Sequence, residues 1–166
     1  MLRIVVNTSI PVSAPTILFM ACHLSDAQTP DDIVSIVIFA ASQEARVHQA
    51  MYMTVRKFSD FLTSNSVENY RNTHDLFQFE HDLNAPEEVF SDINMMETTN
   101  VYMIENADGT IICAVVRLGD IFYHLYPHPS GVLMAGPGDI LSVCKSLMYT
   151  YPCHFEGCVR MLIQKK

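Results

Sequence analysis

The chain has 166 residues, of which 49% are hydrophobic and 17% charged, and it carries a net charge of −8. That length suits one domain with a real core, and that balance excludes wholesale disorder. The acidic surplus, with no basic run longer than Arg56-Lys57 or Lys165-Lys166, excludes nucleic acid as the expected partner.

Leu2 to Val6 is rich in β-branched residues and predicts a short strand. Ser13-Ala14-Pro15 reads as a helix start, with Ser13 as N-cap and Pro15 in the first turn, where a missing N–H costs nothing. The helix should run to about Leu24, and Ile17 to Ala21 leave it almost no polar face, as in a buried helix. Pro11 and Pro15 interrupt the apolar run from Ile10 to Leu24, one Arg precedes it, and no small-x-small site follows. Neither a targeting segment nor a membrane span is expected there. Thr29-Pro30-Asp31-Asp32 repeats the start signal, with acids in the first turn. The stretch that follows, Ile33 to Ala41, is open between a helix and a buried strand. The cap argues for helix through Ile36, and the β-branched run Ile36-Val37-Ile38 argues for strand.

Val47 to Met53 predicts a strand, and Thr54 caps a helix with Val55, Phe58, Phe61 and Leu62 on one face. Thr63 to His74 is polar and reads as a loop. Asp75 to Phe79 alternates like an edge strand. Asn84-Ala85-Pro86-Glu87 has the capping-box arrangement, and its helix should turn Val89, Phe90 and Ile93 inward. From Asn100 the period changes to two. Val101–Glu105, Thr110–Arg117 and Ile121–Tyr126 predict three strands, joined by turns at Asn106-Ala107-Asp108-Gly109 and Leu118-Gly119-Asp120. Gly136-Pro137-Gly138-Asp139 is a break and helix start. Ile140 to Tyr149 is the last helix, and Val159 to Ile163 a closing strand. Helices come first and an antiparallel sheet later, which makes the class α+β. The expected organisation is one domain over 1–166, with a helical half at about 1–98 and a sheet half at about 99–166.

Cys22, Cys113, Cys144, Cys153 and Cys158 are odd in number and irregular in spacing. They read as small buried hydrophobes in a reducing, intracellular setting rather than as a disulfide framework. Cys153-His154 and Cys158, with Cys144 near, form one loose cluster without a tight Cys-x-x-Cys pair, so no metal is expected. Gly136-Pro137-Gly138 lacks the Lys-Ser/Thr of a phosphate loop, and no other cofactor signature is present. One arrangement bears on catalysis. A thiol protease needs a Cys at a helix N-terminus, a His delivered from a sheet, and an Asp or Asn to orient the imidazole. His128, on a Pro-His-Pro step after an aromatic strand, is placed for the second role or for a plain surface turn.

The stretches "AMYMTVRKFSDFL", "NVYMIENADGTIICAVVRLGDIFYHLYPHPSG" and "GDILSVCKSLMYTY" carry a further signal. From Thr54 to about Met148 the order of elements resembles the ubiquitin-specific cysteine protease domain of herpesvirus large tegument proteins. The resemblance implies a papain-like fold, N-terminal helices packed on a C-terminal antiparallel sheet, and it sets His128 at the family's catalytic histidine. Two departures follow. The family's Asp two residues before the histidine is replaced here by Tyr126, an uncharged phenol at neutral pH. The family's Cys opens the first helix inside a Gln-Cys motif, whereas here Ser13 to Thr16 hold neither. The only N-terminal thiol, Cys22, lies about two turns further on, in an apolar stretch that would raise its pKa.

The resemblance therefore implies a viral pseudo-enzyme in the host cytoplasm or nucleus: a papain-like scaffold kept as a binding module for a host protein, such as ubiquitin or a ubiquitin-like protein. Tyr126 and His124, with His128, would line the old cleft. The alternative is an active cysteine protease using Cys22 and His128, with Asp120 or Asp139 as the acid. A third reading is an α+β interaction protein unrelated to proteases, with the apolar excess serving an interface such as a homodimer's.

Overall fold

A computed structural model of the chain describes residues 2–9, 12, 14–43, 74–79, 92–93, 100–105, 112–150 and 159–165. Strand β1 (Arg3–Asn7) is followed by helices α1 (Ala14–Leu24) and α2 (Pro30–Ser42), then by strands β2 (His74–Phe79), β3 (Val101–Glu105), β4 (Ile112–Leu118), β5 (Ile121–His128) and β6 (Gly131–Gly138). Helix α3 (Ile140–Thr150) and strand β7 (Val159–Lys165) complete the described elements. The expected strand at 47–53, the helices after Thr54 and Asn84, the loop after Thr63 and the turn at 106–109 lie outside the described residues, except that Ile93 is buried as expected.

The open question over Ile33 to Ala41 resolves to helix. The Thr29 side-chain oxygen accepts from the Asp32 N–H at 3.2 Å, and the Asp32 carboxylate accepts from the N–H groups of Thr29 (3.0 Å) and Gln28 (2.9 Å). This reciprocal box satisfies donors that the first turn would leave orphaned, and Pro30 sits where no N–H is needed. Once nucleated, the β-branched run is held by burial of Ile33, Val37, Ala40 and Ala41, one stripe at helical spacing. Helix α1 buries Ile17, Met20, Ala21 and Leu24 in the same manner. It is less enclosed than its sequence suggests, because Phe19 and His23 remain half-buried and meet each other edge-on at 4.9 Å.

Seven described strands form one sheet in the order β1-β6-β5-β4-β3-β7-β2, and every pairing is antiparallel. The meander β3-β4-β5 is as its period predicts, and β2 is an edge strand among the described residues. Two expectations change. The break expected at Gly136-Pro137-Gly138 falls inside strand β6, which pairs with both β5 and β1. The sheet also takes β1 from the start of the chain, so it is not built from the C-terminal half alone.

Alternation sorts the sheet's side chains onto two faces. Val101, Met103, Ala114, Val116, Tyr123, Leu125, Val132 and Met134 join the core beneath α1 and α2. Tyr102, Ile104, Cys113, Val115, Phe122 and Leu162 join a second core with Val143, Cys144 and Leu147 of α3. Helices thus cover both faces, and each fully buried Ile, Leu or Met contributes about 1.5–3 kcal/mol to holding the layers together. Among the described residues no helix is long and apolar enough to cross a membrane.

Candidate functional site

Strand β5 carries the histidines. Its pleat turns Phe122, His124, Tyr126 and His128 toward the α3 side, and Tyr123 and Leu125 toward α1 and α2. Two β6 residues, Gly136 and Pro137, oppose the single residue Tyr123, a bulge between the Phe122↔Gly138 and His124↔Ala135 pairs.

His128 ends the strand, half-buried, opposite Gly131, which in turn pairs with Asn7 of β1. The Ser130 N–H donates to its Nδ1 at 3.1 Å. A neutral imidazole has one N–H and one lone pair, so accepting at Nδ1 puts the proton on Nε2. In that state the ring can donate from Nε2 but offers no lone pair to a thiol proton. The tight hairpin that makes this contact depends on Gly131, whose φ of +149° leaves no room for a β-carbon against the Val6 carbonyl oxygen.

The groups proposed to act with His128 are at the other end of the sheet. Cys22 lies in the last turn of α1. That helix end is anchored by Asn100, whose side-chain amide donates to the carbonyl of Leu24 at 3.5 Å and to that of Ser25. Asn100 in turn accepts from the Arg117 N–H at 2.9 Å, and Arg117 pairs with Phe122. Asp120 stands in the β4–β5 turn, fully exposed and 4.0 Å from Arg117. Asp139 follows Gly138, the partner of Phe122. Phe122 is six residues from His128, about 20 Å of strand. Cys22, Asp120 and Asp139 therefore gather at the beginning of β5 and His128 at its end. Sequence proximity misleads here, because an antiparallel hairpin returns residue 139 to the start of β5 rather than to its tip.

Asp139 has a different task. Its carboxylate accepts from the Ser142 N–H at 2.8 Å, and its carbonyl accepts from Val143 N–H at 3.0 Å, so it caps α3. Hydrogen bonds from the Ser142 N–H and then the Ser142 side chain hold its carboxyl pKa below the usual carboxylate range. The thiols among the described side chains are no better placed for attack. Burial pushes Cys144 up to about 11. Cys113 is 1% exposed in the α3-side core; carrying the Ala114↔Leu125 pairing one step further sets it beside Tyr126. Neither sits at a helix N-terminus.

His124 is interior. It is 0% exposed, its Nδ1 lies 3.3 Å from the Ser146 hydroxyl of α3, and its ring is 5.0 Å from that of Tyr126 at an angle of 32°. Burial, and then the positive charge of Arg3, lower its pKa to about 3, so the imidazole is neutral at physiological pH. One cross-strand row explains the arrangement: Arg3, Ala135, His124, Val115, Tyr102 and Leu162 are successive partners across six strands. In the same row the Tyr102 hydroxyl donates to buried Asp92 at 2.9 Å. These polar contacts join the sheet to what covers it. They make His124 a packing residue rather than a surface contact, while Tyr126 is half-buried. Sequence reasoning had no means to find Ser146 or Asp92, whose partners lie on other elements. Cys153, His154 and Cys158 fall outside the described residues, and among the described ones no three potential metal ligands come together.

No family model and no curated protein matches the chain. Solved structures do. The Pseudomonas avirulence protein AvrPphB aligns at a TM-score of 0.54 and 11% identity, covering 90% of each chain. A ubiquitin-specific protease encoded by a murine cytomegalovirus tegument protein, solved with a ubiquitin-based suicide substrate, aligns at 0.55 and 12% identity. That alignment covers 98% of this chain and 85% of the other. The fold is papain-like.

Identities this low carry the architecture alone. The resemblance read from the sequence expects a nucleophile at the start of α1. In this chain that start reads Ala14-Pro15-Thr16, and the sequence has no cysteine before residue 22.

Proposed function

We propose that the chain is a non-catalytic papain-like domain of viral origin. In this reading it works inside the host cell as a binding module for a host protein, and a ubiquitin-fold protein is the partner class. The observation that carries the proposal is the separation within the sheet. His128, its Nδ1 occupied by the Ser130 amide, stands at one end of β5, and Cys22, Asp120 and Asp139 stand at the other. Removing one member of a catalytic triad costs on the order of 10⁴-fold in rate, and among the described residues the candidates Cys22, Asp120 and Asp139 lie at the opposite end of β5 from His128. The choice of partner is supported by the neighbour solved with a ubiquitin-based substrate. The net charge of −8 favours a protein partner over nucleic acid.

Two measurements on the full chain test the proposal. Titration with unmodified ubiquitin, followed by calorimetry or amide shifts, is expected to show reversible binding. Incubation with ubiquitin bearing a C-terminal electrophile is expected to leave no covalent adduct, and Cys22→Ala should behave as the parent does. An adduct that forms on the parent and vanishes in Cys22→Ala establishes the active protease instead. No ubiquitin binding removes ubiquitin as the partner.

A further inference from the structure

Strand β1 ends the sheet, with β6 on one side and no described strand on the other. Its hydrogen-bond phase is fixed by two bonds: the Gly136 N–H donates to the Leu2 carbonyl at 2.8 Å, and the Thr8 N–H donates to the Ser130 carbonyl at 3.0 Å. These are the bonds that flank the Arg3↔Ala135 and Asn7↔Gly131 pairs. Alternation then directs the backbone groups of Ile4 and Val6 at β6, and those of Val5 and Asn7 outward. Apart from its short length and the single charge of Arg3, the outer edge lacks the usual devices against pairing. It has no proline, no lysine and no bulge, and it is apolar: Leu2 is 67% exposed, Ile4 44% and Val5 42%.

Charge identifies the occupant. The first 25 residues contain no Asp or Glu, although the chain has 18 of them, and Arg3 is the one charged residue of β1. Two copies, each at −8, repel one another, and a β1–β1 contact brings together segments that contribute no acid. We propose that β1 pairs antiparallel with β1 of a second copy of this chain, across a twofold axis through Val5. That register exchanges two N–H···O bonds between Val5 and its symmetry mate. It sets Arg3 opposite the other copy's Asn7, a cation facing an amide, and brings exposed Ile4 over Val6 of the other copy. A register centred on Arg3 would oppose two cations instead. The interface is isologous and closes on itself, so it yields a dimer and not a filament. Paired five-residue strands bury less than the roughly 1,600 Å² of a standard interface, which places the contact among weak, reversible ones.

Sedimentation equilibrium of the full chain, from low micromolar to several hundred micromolar, tests this independently of any ubiquitin-fold partner. The parent should pass from monomer to dimer. Val5→Pro removes an N–H that β6 does not use, and Ile4→Lys charges the edge. Both should stay monomeric throughout, with parental circular dichroism. Should Val5→Pro fail to fold, Ile4→Lys carries the same readout. Under oxidation Val5→Cys should give an intermolecular disulfide beyond the parental background, since residues paired across the axis sit about 5.5 Å apart at Cα, and Arg3→Cys should not. A parent that is monomeric throughout overturns the proposal, as does a dimer that persists in the folded variants or a disulfide through Arg3→Cys.

Discussion

His124 makes stability depend on pH in a definite direction. Its folded pKa of about 3 lies below the unfolded value of 6.5, because burial, with Arg3 adding to it, disfavours the charged ring. Between those values the unfolded chain binds a proton that the folded chain refuses. The full stability is therefore present above pH 6.5 and is lost as pH falls toward 3, at about 1.4 kcal/mol per pH unit. From pH 7 to 5 this group alone should cost roughly 2 kcal/mol. His23, also lowered by burial, acts in the same sense. The readout is therefore the difference between parent and His124→Gln in urea-unfolding free energy across that range. The variant should be less stable at pH 7 and distinctly flatter below it; equal slopes would show that the ring titrates elsewhere. Two glycines give a paired prediction at the same scale. Gly131→Ala sets a β-carbon against the Val6 carbonyl at φ +149° and should cost more than about 2 kcal/mol. Gly119→Ala, at φ +63° with nothing within 4 Å, should cost only about 1 kcal/mol. Thermal unfolding of the two variants separates collision from strain.

At the scale of elements, Asp139 is the instructive case. Read along the chain it is a carboxylate near a histidine; in the fold it is the cap of α3, at the opposite end of β5 from His128. Asp139→Ala should lower unfolding free energy by about 1 kcal/mol, and Asp139→Asn should keep most of it, because an amide oxygen can still accept from the Ser142 N–H. Neither change should alter ubiquitin binding. The helix starts were legible in the sequence where side chain and backbone interact locally, as at Thr29 and Asp32. That is also why the cap outweighs the β-branched residues of α2. Strand β6 was not legible. Its glycines and proline look like breakers, yet Gly131 sits there because the Val6 carbonyl approaches, and Gly136 because Phe122 and Tyr123 do. Those neighbours are over a hundred residues away for one and a strand away for the other, so no window of sequence contains the reason.

At the scale of the whole molecule, the α+β class and the central meander could be read from the change of period at Asn100, since each strand there is judged by its own alternation. The papain-like architecture came from a resemblance in the order of elements, and the solved neighbours bear it out at the level of fold. What order cannot convey is which end of the sheet a residue occupies. That single fact decides between a cleft with its groups assembled and one with them dispersed, and it depends on pairings such as Asn100 with Arg117 and Gly138 with Phe122.

The strand order has a temporal consequence. β1 is made first, yet its partner β6 begins at residue 131, so the earliest strand must wait for most of the chain before it can dock. β7 is made after every other described strand, yet it lies between β3 and β2 and is the neighbour that joins β2 to the rest. On a ribosome, then, the meander can assemble while both flanks of the sheet stay unfinished. Its apolar margins remain open to aggregation or to chaperones until the last strand emerges from the exit tunnel.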